Sequence, residues 1–138
     1  MRDNKKEVYD AYTVLIKNGL LSIENGVPPQ YIDYPLALIA VRLDGWDLDY
    51  IPEHIIDYSL CLVAIGQSGG AINFVPGSLI DYNLCMAAVK QSGIMLEYIP
   101  YGFIDYNLCL EAVKNAATAI EYVPNKLKER IKTELNMQ

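Results

Sequence analysis

The chain has 138 residues, of which 52% are hydrophobic and 20% charged, which excludes a disordered protein and predicts one repeat domain over residues 1–138. It has no apolar run near the roughly 20 residues that cross a bilayer. Its first ten residues are polar, so we expect no signal peptide and a cytoplasmic location, in a bacterium or an infected host cell. The formal net charge is −6, and residues 18–125 hold twelve acids against three bases, which argues against direct contact with nucleic acid.

A period of 24 residues runs through most of the chain. The triplet Ile-Asp-Tyr begins at residues 32, 56, 80 and 104, and a proline recurs at the same spacing from residue 28 to residue 124. Leucine follows this period from residue 36 to residue 108, and alanine from residue 40 to residue 112. A fixed period of this length is typical of stacked repeats. The pattern predicts an all-α fold, a small helical-repeat solenoid.

The first predicted element is a helix from Val8 to Lys17, which aligns with the long helix of the later repeats but lacks the Ile-Asp-Tyr triplet. The end repeats of a solenoid need a polar outer face, because no further repeat stacks on them. We therefore interpret residues 8–31 as a degenerate N-terminal cap repeat.

Residues 32–124 are predicted to form the core repeats, and the unit that begins at Asp81 illustrates them. Asp81 is a good N-cap, and Tyr82 to Gln91 follows with no Gly or Pro and with its Leu, Cys, Ala and Val side chains on one helical face. Gly93 is expected to end this helix in the left-handed conformation. The apolar run from Ile94 to Ile99 predicts a short second helix or a 3₁₀ turn, with a short strand as the alternative.

The last predicted element is a helix within residues 125–138. It is rich in Lys, Arg and Glu, as the exposed end of a solenoid requires. We interpret it as a polar C-terminal cap helix.

The run Leu-Cys-Met-Ala-Ala-Val-Lys-Gln-Ser-Gly at residues 84–93, followed by Leu-Glu-Tyr-Ile-Pro at residues 96–100, resembles a known repeat family. That family is catalogued as a domain of unknown function and occurs in tandem in bacterial, phage and giant-virus proteins. The resemblance extends over residues 32–124 and implies no particular activity. The chain departs from the family pattern at Ala37, where Cys is usual, at Gly66, where a basic residue is usual, and at Ala117, where Gly is usual.

The repeated cysteine and the repeated aspartate could each be interpreted as catalytic, but each also has a structural explanation. The cysteines at residues 61, 85 and 109 include no Cys-x-x-Cys pair, and His54 is the sole histidine, so we expect buried thiols with a raised pKa and neither a disulfide nor a metal site. The aspartates at residues 33, 57, 81 and 105 are expected to be helix N-caps. We therefore expect no enzyme activity and no cofactor.

Acidic side chains gather around two residues, Trp46 and His54, without the pattern of a calcium-binding loop. Trp46 aligns with Gly, Ile and Thr in the other repeats, and Tyr101 aligns with Glu, Gly and Asn, so these two aromatics break the period. Trp and Tyr are frequent interface anchors, although a solvated acidic face and local packing are open alternatives. The predicted partner-binding residues are Asp44, Trp46, Asp47, Asp49, Glu53, His54 and Tyr101.

From these residues we expect a non-catalytic protein-binding repeat module that acts through a variable, acidic surface. Its partner is expected to be a protein with a basic surface, because opposite charges steer association. The alternative is a phage-type inhibitor or decoy whose acidic face blocks a basic nucleic-acid-binding enzyme, such as a CRISPR effector or a nuclease.

Overall fold

The computed structural model describes residues 4–138, and within this range all regular elements are helical. The α-helices are α1 (Asn4–Lys17), α2 (Tyr34–Leu43), α3 (Tyr58–Gln67), α4 (Tyr82–Gln91), α5 (Tyr106–Asn115) and α6 (Asn125–Glu134). The first helix thus includes residues before the predicted start at Val8. No helix in the described range is long and apolar enough to span a membrane.

A 3₁₀ helix of six residues follows each of the helices α2 to α5. These four elements are Gly45–Tyr50, Gly69–Phe74, Gly93–Tyr98 and Ala117–Tyr122. Shorter 3₁₀ turns at Pro29–Tyr31, Glu53–Ile55 and Tyr101–Phe103 precede three of the long helices. The second element of each repeat is therefore a 3₁₀ helix, and the strand alternative is wrong for these segments.

The helices form two layers. In the long-helix layer, α2 packs on α3, α3 on α4 and α4 on α5, while the four six-residue 3₁₀ helices stack on one another as the 3₁₀ layer. The long helices completely bury the Leu and Ala side chains that follow the 24-residue period, and the 3₁₀ helices add apolar side chains such as Leu48 and Leu96 to one continuous core. This arrangement confirms the all-α helical repeat.

The repeated aspartates cap the long helices, as predicted. In α4, Asp81 Oδ1 accepts the backbone N–H of Leu84 at 2.8 Å, and the equivalent bonds in α2, α3 and α5 measure 2.8–3.0 Å. The same carboxylate also accepts a hydrogen bond from Tyr58 of the preceding repeat, at 3.0 Å. Tyr9, Tyr34 and Tyr82 donate to the next cap in the same way. The tyrosines of the first three triplets thus tie each repeat to the next, and Tyr9 makes the same connection from α1.

Gly93 does not end α4 in the left-handed conformation, and this expectation is wrong. Extended Ser92, with φ −152°, ends the helix, and Gly93 opens the following 3₁₀ helix. A Cβ atom at Gly93 would overlap the carbonyl oxygen of Ala112 in α5. Glycine is needed because the backbones of two repeats approach closely there. The alanine at residue 117 escapes this contact, since the residue 24 positions after Ala112 lies beyond the end of α6.

A side-chain amide at the end of a long helix closes each junction. Gln91 Oε1 accepts the N–H of Gly69 at 2.8 Å, and Gln91 Nε2 donates to the carbonyl of Gln67 at 3.3 Å. Gln67 makes the same pair of bonds at the junction before it. At the junction after it, the shorter Asn115 accepts the N–H of Gly93 and donates to the carbonyl of Lys90. These amides satisfy backbone groups that the end of an α-helix leaves without an intrahelical partner.

Candidate functional site

The three cysteines are fully buried, free thiols in the long-helix layer, as predicted. Burial raises the pKa of Cys61, Cys85 and Cys109 from 9.0 to about 11 in each case. At neutral pH they are therefore protonated, and a thiol is a much weaker nucleophile than a thiolate. The cysteine positions belong to the core and do not form a site.

An acidic groove opens where the first two core repeats meet. It is shallow, with a volume of about 370 Å³, and its walls include Asp49, Glu53, Ile56, Phe74, Pro76 and Gly77. Gly77 occupies the position that Glu53 and Tyr101 hold in the neighbouring repeats, and a Cβ atom there would meet only open space. The groove thus combines two carboxylates with an aromatic wall and is open on the side of Gly77.

Trp46 contacts Phe74, one of the residues that line the groove. Its ring meets Phe74 edge-on at 5.6 Å between centroids and covers Gly70, where a Cβ atom would lie 2.5 Å from the indole. The non-repeating Trp is therefore paired with a non-repeating Gly in the next repeat. Local packing explains one side of the ring, and 49% of Trp46 is exposed. Local packing thus accounts for the covered face of the ring, and the exposed face is available for binding.

Asp47 does not belong to an exposed acidic surface, and this expectation is corrected. The residue is only 5% exposed. Burial raises the pKa of its carboxyl group, while the backbone N–H groups of Ile23 and Glu24 favour the charged form. Asp47 therefore helps to fix the segment before α2, and a partner has no access to its carboxylate.

The other predicted residues lie on the surface but not all together. Asp44 is exposed and caps the first 3₁₀ helix, accepting the N–H of Trp46 at 3.0 Å. His54 is exposed in the turn that contains Glu53. Tyr101 is 74% exposed, but it lies in the equivalent turn two repeats further along. The structure thus groups Trp46, Asp49 and Glu53 around Phe74, and Tyr101 is not in this group.

Phe74 is the residue that sequence reasoning missed. It belongs to the aromatic position two residues before the repeated proline, where the other repeats have Tyr. An aromatic residue that recurs in every repeat predicts a packing role, so the period does not indicate Phe74 as part of a site. Its missing hydroxyl was the available signal, because a phenyl ring leaves the neighbouring carboxylate without that hydrogen-bond donor.

The acids of residues 18–125 fall into two classes. Four of them cap helices, Asp47 is buried, and Glu111 pairs with Lys114 at 3.3 Å. The six others lie in the 3₁₀ helices or adjacent turns, and none of them forms an ion pair within the described residues: Glu24, Asp44, Asp49, Glu53, Glu97 and Glu121. Carboxylates that neither cap a long helix nor form an ion pair therefore lie along the 3₁₀ layer and its adjoining turns.

A family described as a domain of unknown function (DUF4116) matches the chain over residues 81–128. The matched segment begins at the cap of α4 and has the length of two 24-residue units. The match supports the resemblance to a family of unknown function over this segment. No curated protein and no solved structure matches the chain.

Proposed function

We propose that the protein is a non-catalytic protein-binding repeat module whose acidic surface receives a basic protein partner. The observation that carries the proposal is the groove in which Asp49 and Glu53 lie beside the ring of Phe74. Neither carboxylate forms an ion pair within the described part of the chain. Negative charge and apolar surface are thus both available to an incoming side chain.

The chemistry of the groove fits an Arg or Lys side chain. The aliphatic stem of such a residue would pack on Ile56 and Phe74, and its charged head would reach the carboxylates of Asp49 and Glu53. A cation over an aromatic face contributes roughly 0.5–1 kcal/mol at an exposed site. The half-exposed ring of Trp46 borders the groove and supplies the large anchor that interfaces favour.

The experiment compares three baits in a pull-down from cells that contain the native partner, followed by titration of the identified protein. The baits are the wild type, the pair Asp49→Asn with Glu53→Gln, and a control pair, Glu129→Gln with Glu134→Gln, that removes the same charge from α6. We expect the groove pair to weaken binding by about five- to thirtyfold, since an exposed ion pair contributes roughly 0.5–1 kcal/mol. The control should bind like the wild type. Equal affinity of all three proteins would refute the proposal.

The inhibitor or decoy alternative uses the same acidic surface and differs in the consequence of binding. If the partner is a nuclease or a CRISPR effector, the chain should displace nucleic acid from it, and the groove pair should lose this competition. If nucleic acid stays bound in the presence of saturating chain, the module interpretation holds and the decoy is excluded.

A further inference from the structure

A stripe of aromatic side chains follows the 3₁₀ layer. Each six-residue 3₁₀ helix ends in an aromatic residue, namely Tyr50, Phe74, Tyr98 and Tyr122. The three tyrosines are 44%, 51% and 37% exposed, whereas Phe74 is partly covered by Trp46. The stripe therefore presents three exposed tyrosine rings to solvent, and Phe74 is only partly accessible between them.

A carboxylate from the preceding unit accompanies three of these four rings. Burial and the nearby carboxylate of Glu24 raise the pKa of Tyr50, and the nearby carboxylate of Glu97 raises the pKa of Tyr122. Asp49 shares the groove with Phe74. At the remaining ring, Tyr98, the corresponding residue is Asn73. A further carboxylate, Glu121, lies 24 residues after Glu97 and continues the series beyond the last ring, Tyr122.

We propose that this acid–aromatic stripe binds an extended, basic segment of the partner, in a polyproline II conformation with Arg or Lys at every third residue. The inference rests on the proposed function and specifies the form of the partner. The positive charge follows from complementarity, because within the described residues these carboxylates have no basic partner. Arg suits the rings as well, since its guanidinium group stacks on aromatic faces.

The repeat spacing selects the conformation of the segment. The four 3₁₀ helices are in contact in series, and packed helices lie about 8–10 Å apart, so we infer a similar spacing for the rings. A polyproline II helix has three residues per turn and rises about 3.1 Å per residue, so every third side chain points the same way at intervals of about 9 Å. In a β-strand, alternate side chains on one face are only about 6.7 Å apart, and every third residue points to the opposite face. Of these two extended conformations, only polyproline II keeps one basic residue per repeat in register.

The test uses three synthetic peptides of identical composition, each with four arginines among Pro and Ala. The arginines occur at every third residue, at every second residue, or together at one end. Binding is followed by calorimetry and by the fluorescence of Trp46, the single tryptophan of the chain. We expect the peptide with spacing three to bind about five- to thirtyfold more tightly, since a shifted register loses roughly two rungs of the stripe. Equal affinity of the three peptides would overturn the inference.

A variant pair then locates the peptide on the stripe. Glu97→Gln with Glu121→Gln should weaken the spacing-three peptide by about two- to fivefold for each carboxylate removed. The control pair on α6, Glu129→Gln with Glu134→Gln, should leave it unchanged. Unchanged affinity in both pairs would contradict the stripe. If the stripe fails these tests while Asp49→Asn with Glu53→Gln still weakens the native partner, the proposed function stands and only the extended segment is wrong.

Discussion

The two layers of the molecule differ in how strictly their residues recur from one repeat to the next. The long-helix layer uses the same buried residues in nearly every copy, and the leucines at residues 36, 60, 84 and 108 are all completely buried. The 3₁₀ layer keeps its apolar inner residues but changes its outer ones, with Trp46, Gly70, Ile94 and Thr118 at one position. A packing surface that recurs needs the same side chains, whereas an outward surface is free to diverge. We infer that the first layer supplies stability and propose that the second supplies recognition.

The largest expected difference in stability is between a variant at a buried residue of the long-helix layer and one at an exposed residue of the 3₁₀ layer. Leu84→Ala should cost roughly 2–5 kcal/mol of unfolding free energy, because it leaves a cavity in a fully buried site. Tyr98→Ala, at a ring that is 51% exposed, should cost less than about 1 kcal/mol. Urea unfolding followed by circular dichroism measures both. Similar losses would break the division between the layers.

The thiols should make the long-helix layer sensitive to alkaline pH. The folded pKa of Cys85 is raised to about 11 from 9.0, so the folded state holds this proton more tightly than the unfolded state. Its contribution is complete below pH 9 and is lost as the pH rises to about 11, on the order of 2–3 kcal/mol. When unfolding is measured at several pH values, the unfolding free energy of Cys85→Ala should therefore fall less between pH 9 and pH 11 than that of the wild type. Parallel curves would contradict this origin of the pH dependence.

Two glycines test the contact between the layers with the same substitution. Gly93→Ala should cost about 1–3 kcal/mol, because the added Cβ overlaps the Ala112 carbonyl. Gly66→Ala should stabilise the chain by roughly 0.5–1 kcal/mol, since Gly66 lies in α3 with nothing within 4 Å of its Cβ position. Thermal unfolding gives the sign of each change. A destabilising Gly66→Ala would contradict the open space around this position and, with it, the steric explanation for the difference between the two glycines.

The smallest structural effect concerns the caps. Asp81→Ala should cost about 1 kcal/mol, because the amide of Leu84 loses its acceptor. Tyr58→Phe, which removes only the bond from the preceding repeat, should cost roughly 0.5–1 kcal/mol. In the double variant the two losses should not add, since both bonds use the same carboxylate. Full additivity in urea unfolding would show that the tyrosine acts independently of the cap.

The sequence predicts the regular part of this molecule well, because a residue that caps a helix or fills its buried face acts locally. The period placed α4 at residues 82–91 and identified the function of Asp81. Contacts between repeats were harder to foresee. The need for glycine at residue 93 comes from a carbonyl in the next repeat, and Asp47 is buried by a segment outside the period. Phe74 was not predicted for the same reason, because its proposed role depends on carboxylates of the preceding repeat across the groove.

The division between the two layers is tested most directly by measuring stability and partner affinity on the same protein, Asp49→Asn with Glu53→Gln. Both side chains are exposed in the 3₁₀ layer and its adjoining turn, so the unfolding free energy should stay within about 0.5 kcal/mol of the wild type. The affinity for the native protein partner should fall about five- to thirtyfold, and the association rate should lose part of its dependence on salt. Wild-type affinity in this stable variant would contradict the assignment of recognition to the 3₁₀ layer.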